Sequence, residues 1–220
     1  MIIEKFVLTA FQQNTRVVAC PETRKAICID PGEESPELVG FINENGFELQ
    51  AITLTHGHLD HVGGTAALSR EFPDADIILH KGDEDLYYGL PQQLAALGFE
   101  YEDPPKLSRN WEHGEIYEVG TLRLKVMHCP GHTRGHVVLA EENHKRVFVG
   151  DVLFLGSIGR TDLPGGSFDQ LIDSINNNIL TLGDDFIVYS GHGPETTVGR
   201  ERTSNPFLTG VYQIGKGKYF

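Results

Sequence analysis

The chain has 220 residues, 40% of them hydrophobic and 22% charged. This composition suits one soluble folded domain with a real core and excludes a disordered chain. The net charge of −13 excludes a nucleic-acid partner, because phosphate backbones are held by clustered Lys and Arg, and the chain has no such cluster. No run approaches the roughly 18 apolar residues of a membrane span, so no membrane partner is expected. The opening MIIEKFVLTAFQQNT lacks the long apolar region and cleavage site of a secretion signal. Cys20, Cys28 and Cys129 are odd in number and form no CxxC pair. Both features point to a reducing, cytoplasmic location.

In chain order, short strands are predicted at residues 2–8, 15–20 and 25–30, rich in β-branched residues and separated by turn formers. Ser35-Pro36 offers an N-cap with proline at the first helical position, and Gly46 offers a stop. Between them Leu38, Phe41 and Ile42 recur at helical spacing. A strand is expected at 51–55, a helix at 63–72 and a strand at 76–80. Residues 81–111 are less regular: two short helices are expected around the Gly89-Leu90-Pro91 break, and a loop at Pro104-Pro105. Strands return at 115–119, 121–127, 135–140 and 146–149. Ser167 and Gln170 form a capping box, and Leu171, Ile172, Ile175 and Ile179 continue it as the clearest helix. Residues 186–189 are a last strand, and 195–220 read as polar and turn-rich. With no linker or break in composition, residues 1–220 read as a single domain with two packed sheets and helices outside.

Chemistry concentrates where the strands end. His56, His58, Asp60 and His61 fall within six residues, between an apolar strand and a glycine pair. His132 follows a strand in Cys129-Pro130-Gly131, Asp151 follows Val149-Gly150, and His192 lies between Gly191 and Gly193. Glycine and proline let the backbone turn tightly beside an ion. Imidazole and carboxylate are zinc ligands, and five histidines with two aspartates exceed the needs of one tetrahedral site. They suit two ions about 3.5–4 Å apart that share a carboxylate. His136, four residues after His132, is expected to hydrogen-bond behind the ligands. His80, His113, His128 and His144 lack a ligand-like setting, and Cys129 reads as a buried thiol.

These residues resemble the metallo-β-lactamase superfamily. Its pattern stands here in order: Asp30 in Ile29-Asp30-Pro31-Gly32, then HxHxDH, then His132, Asp151 and His192. The resemblance covers essentially the whole chain and implies the α/β sandwich fold of that family, αββα, with metals at one sheet edge. Within the superfamily, THGHLDHVGG, CPGHTRGHV, VGDVLF, GRTDLPGGSFDQLIDSI and SGHGPETT are most similar to the glyoxalase II group, the hydroxyacylglutathione hydrolases of short bacterial type. By that resemblance His56, His58 and His132 hold one ion, Asp60, His61 and His192 the other, and Asp151 bridges them. The ions are usually zinc, with iron and manganese also found. Arg160 matches a basic substrate-contacting position, whereas Arg134 reads as solvated. Two departures from the long enzymes concern glutathione: the chain lacks their C-terminal helical domain, and Gly193-Pro194-Glu195 stands where they carry a tyrosine.

The expected reaction is hydrolysis of a small-molecule thioester by a metal-bridging hydroxide, with Asp60 and Asp151 as the catalytic carboxylates. The strongest rival on the same fold is a mononuclear iron persulfide dioxygenase using His56, His132 and Asp151. A β-lactamase is disfavoured by Asp151, which those enzymes generally lack. A closed structural zinc site is disfavoured by the scarcity of cysteine ligands. The acyl group, the thiol carrier and the oligomeric state are left open.

Overall fold

Most central strands are apolar on both faces, so each sheet must be covered twice. In β3 (Lys25–Ile29), Ala26 and Cys28 face one apolar layer while Ile27 and Ile29 face another. In β10 (Arg146–Gly150), Val147 and Val149 face outward and Phe148 inward. This alternation builds a four-layer sandwich in the computed structural model, which describes residues 1–96 and 101–210.

The first sheet runs β1 (Ile2–Leu8), β2 (Gln13–Ala19), β3, β4 (Glu48–Thr53), β5 (Asp76–Leu79) and β6 (Arg109–Asn110). It is antiparallel through β3 and parallel beyond. The second is ordered β14 (Thr196–Thr197), β13 (Ile187–Ser190), β10, β9 (Val137–Glu141), β8 (Leu122–His128) and β7 (Ile116–Val119). Only its β10–β13 pair is parallel. Val18, Ile27, Ile78 and Trp111 meet Leu124, Val126, Leu139 and Phe148 between the sheets. Outside the first sheet lie α1 (Pro36–Glu44), α3 (Thr65–Glu71) and α4 (Glu84–Ala96). Outside the second lie α5 (Phe168–Ser174) and α6 (Val198–Ser204). No described helix is long and apolar enough to cross a membrane.

Three expectations need correction. Instead of two helices around Gly89-Leu90-Pro91, α4 runs on through Pro91. Tertiary anchors outweigh the proline there: Tyr87 is fully buried and its hydroxyl donates to the Pro105 carbonyl at 3.0 Å. The helix begun at Ser167 widens into a π turn over Ile175–Ile179, which keeps Leu171, Ile175 and Ile179 all buried. The stretch after Glu195 is not merely turns, since β14 and α6 lie there, with the Thr197 hydroxyl accepting from the Arg200 N–H. The helix expected at 63–72 is α3, and a further short helix, α2 (Leu59–Val62), precedes it. Residues 211–220, also expected to be turn-rich, lie outside the described residues.

Candidate metal centre

All seven sequence-picked ligands come from loops that leave the C-terminal ends of four strands. β4 leads to His56, His58, Asp60 and His61; β8 leads to His132; β10 leads to Asp151; β13 leads to His192. The one-turn helix α2 lifts Asp60 and His61 away from His58, whose carbonyl accepts from the N–H groups of His61 and Val62. Backbone bonds fasten these loops together. Val137 N–H donates to the Thr55 carbonyl at 2.9 Å, and Gly191 N–H to the Gly150 carbonyl at 2.8 Å.

Two clusters result. His56 Nε2 and His132 Nε2 lie 3.1 and 3.0 Å from His58 Nδ1. His192 Nε2 lies 3.3 Å from His61 Nε2 and 3.2 Å from Asp60 Oδ2. Asp151 stands between the clusters, with Oδ1 3.4 Å from His61 Nε2 and Oδ2 3.7 Å from His132 Nε2 and 3.6 Å from His192 Nε2. The approach is so tight that a Cβ on Gly191 would collide with Asp151 Oδ1 and the His61 ring.

The hydrogen bonds behind the rings decide what this arrangement suits. His132 Nδ1–H donates to the Arg160 carbonyl at 2.8 Å, and His192 Nδ1–H to the Phe11 carbonyl at 3.0 Å. His61 Nδ1–H donates to Asp30 Oδ2 at 2.9 Å. His56 Nδ1–H donates to the Thr55 hydroxyl at 3.1 Å, which itself donates to Asp30 Oδ2 at 2.6 Å. In these four rings the outward nitrogen is the donor, so the inward nitrogen of each can offer a lone pair to a cation, once His61 and His192 have given up any second proton. Facing lone pairs at about 3 Å repel unless a cation or proton sits among them. Nitrogens on a tetrahedral zinc ion would stand about 3.3 Å apart, and the histidine and carboxylate donors are zinc-type donors. Asp151 Oδ1 is buried with no hydrogen-bond partner among the described residues, as a carboxylate awaiting a cation would be. The residues fit a pair of divalent ions.

Electrostatics separates the two clusters. Burial, reinforced by neighbouring imidazoles, holds His56 far below the usual histidine range and brings His58 down to about 4. Burial also lowers His132, against the pull of Asp151. At His61 burial is overridden by Asp151 and Asp30, so its affinity for a proton is raised well above normal. At His192 burial is overridden by the Asp60 bond and Asp151. Asp60 and Asp151 stay low despite burial, because His192 and His61 favour their charged forms.

Several residues whose role the sequence did not reveal build the frame. Asp83, fully buried, accepts from Gly57 N–H (3.0 Å), the Thr133 hydroxyl (2.6 Å) and Gly135 N–H (2.6 Å), so one carboxylate ties the His56–His58 loop to the His132 loop. In sequence it sits in Lys81-Gly82-Asp83-Glu84-Asp85, which looks like a solvated charge run. Asn14 and Arg16 reach across from β2 to the His192 loop. Asp30, at φ +53°, serves the outward face of His61. His136 does lie behind the ligands, accepting the Asp151 N–H at 3.0 Å and stacking on His56. Beside the clusters opens a cavity of about 550 Å³, floored by His132, Asp151 and His192 and walled by Phe154, Leu155, Ile158 and Pro194. Arg160 lines it, but its guanidinium forks onto Asp162 at 2.7 and 2.8 Å. His80 and His128 stack on each other, and His144 bonds Glu141, away from both clusters. Cys129 is buried, which pushes its thiol up to about 12.

Known proteins match this chain along nearly all its length. It is 42% identical over 210 residues to the hydroxyacylglutathione hydrolase GloC of Haemophilus influenzae, covering 94% of this chain and 98% of that one. Among solved structures it is similar to the BLEG-1 B3 metallo-beta-lactamase (TM-score 0.86, 34% identity, 94% and 100% of the two chains). It is similar to TTHA1623 in a di-iron-bound form (TM-score 0.83, 38% identity, 93% and 100%). ETHE1 from Myxococcus xanthus follows (TM-score 0.80, 27% identity, 96% and 85%). Residues 8–192, which include every candidate ligand above, match the model of one family, and the chain belongs to the metallo-beta-lactamase superfamily.

Proposed function

We propose that the chain is a metal-dependent thioester hydrolase of the glyoxalase II kind, with S-D-lactoylglutathione as its representative substrate. The observation that carries this reading is the pair of facing clusters with Asp151 between them, on a chain 42% identical to a hydroxyacylglutathione hydrolase. His56, His58 and His132 would hold one ion, and Asp60, His61 and His192 the other, with Asp151 touching both. Zinc suits the donors, and the likeness to a di-iron form supports iron as well. Bound there, divalent ions bring the pKa of a coordinated water to about 7 and polarise an acyl carbonyl. Asp60 would orient the attacking hydroxide as well as hold the second ion. Phe154, Leu155 and Ile158 shield the acyl group from bulk water. A thiolate leaves readily, so no separate acid is needed. The three cysteines are free and buried, which suits the reducing cytoplasm in which this reading places the enzyme.

A persulfide dioxygenase is the second reading, supported by the likeness to ETHE1. It would use one iron on His56, His132 and Asp151. Elemental analysis of the purified protein, with loss of thioester absorbance from S-D-lactoylglutathione, separates the two. Two ions per chain with metal-dependent hydrolysis supports the thioesterase. One iron per chain, no hydrolysis and oxygen uptake with a persulfide would replace it. A β-lactam substrate belongs in the same assay, given the likeness to BLEG-1.

A further inference from the structure

The second cluster depends on a loop that is held from both sheets. His192 lies in Ser190-Gly191-His192-Gly193, just past the end of β13, and is only partly buried. One backbone bond, Gly191 N–H to the Gly150 carbonyl, ties it within its own sheet, and further bonds reach it from the far sheet. Asn14, 4% exposed, sits near the start of β2. Its side-chain amide donates one proton to the Ser190 carbonyl at 3.1 Å and the other to the Gly193 carbonyl at 2.9 Å. Its backbone N–H donates to the Gly191 carbonyl at 2.7 Å. One residue thereby satisfies the carbonyls on both sides of His192, and both of its amide protons are used. Arg16 adds a bond from Nη1 to the Ser190 carbonyl at 2.8 Å, and the Phe11 carbonyl fixes the His192 ring. Among the described residues nothing comparable joins Asn14 to His56, His58 or His132, whose loops are tied by Asp83.

We infer that Asn14 is a positioning residue that sets whether the centre holds two ions or one, by fixing His192 for the second. This rests on the reading of the two clusters as metal sites. Only a double donor fits the position: a carboxylate would face two carbonyl oxygens, and alanine would leave the Gly193 carbonyl without this donor and the Ser190 carbonyl with Arg16 alone. The test uses the full chain, Asn14→Asp and Asn14→Ala, with zinc titrated into metal-free protein and followed by elemental analysis and calorimetry. The expected result is a second-ion affinity weakened at least tenfold in both variants, with first-ion affinity within about twofold of wild type. The retained first ion also reports that each variant is folded. Two ions bound as tightly as in wild type, or both ions weakened alike, would overturn the inference alone. Wild-type protein that saturates at one ion would overturn the two-site reading and the inference with it.

Discussion

The two clusters contain similar ligand types and differ in how they are built. The His56, His58 and His132 cluster draws on two loops that share one buried carboxylate, Asp83. Its rings have depressed proton affinity, so they offer lone pairs without first losing protons. The Asp60, His61 and His192 cluster joins a one-turn helix to a loop held from the opposite sheet, and it lies beside Phe11, which is 69% exposed. Its two rings have raised proton affinity, because Asp30, Asp60 and Asp151 face them. The lesson is that ligand identity alone does not set the strength of a site. The first cluster is prebuilt and neutral, whereas the second must be deprotonated and depends on more distant parts of the fold.

The most damaging change is at the residue common to both. Asp151→Ala should cut thioester turnover at least a thousandfold and lower the metal content of both clusters; a metal-replete, active variant would remove Asp151 from the centre. Acidification should tell the clusters apart. Metal binding displaces protons only from rings that hold them. His58, at about 4, and the strongly depressed His56 have none to lose between pH 8 and 6, and the lowered His132 has fewer than an ordinary histidine, so the first ion should change less. His61 and His192 have raised proton affinity, so falling pH should weaken the second ion, on the order of tenfold or more per two pH units. Zinc titrations at both pH values measure this directly. Equal weakening of the two ions would break the contrast.

How much of this was legible in the sequence follows from how local each signal is. HxHxDH and the glycine-flanked His132, Asp151 and His192 stand out because ligand chemistry and tight turns leave marks within a few residues. The strands and the Ser35 and Ser167 caps were readable for the same reason. Asp83 and Asn14 were not, because their function lies in partners 26 to 52 and 176 to 179 positions away. In sequence each is an ordinary polar residue. Pro91 misled because buried Tyr87 and Leu90 anchor α4, and residue order does not show burial. The fork between Arg160 and Asp162 was open to view two residues apart, yet its bearing on the cavity needed the fold.

Asp83 gives the counterpart to Asn14. Asp83→Asn would place an amide N–H₂ against at least one of the three donors now bonded there, loosening the His56–His58 and His132 loops. First-ion affinity should fall about tenfold while the second ion is held as before, the mirror image of the Asn14 variants. Loss of both ions together would mean that Asp83 supports the fold rather than one cluster.

The smallest effect belongs to the rim of the cavity. Among the described residues, Arg160 is the one Arg or Lys lining the cavity. Its carbonyl is fixed to His132, so the side chain starts from a constant place beside the clusters. Asp162 engages Nε and Nη2, leaving Nη1 and the outer edge of the guanidinium available to a substrate carboxylate. The fork is well exposed, so water screens it and its worth is modest. Arg160→Ala should therefore raise KM for a glutathione thioester about threefold, with kcat and metal content unchanged. An uncharged thioester should show no change, since it offers no carboxylate to the guanidinium. Equal effects on both substrates would make Arg160 a support for the His132 loop, because that role does not depend on the charge of the thiol carrier.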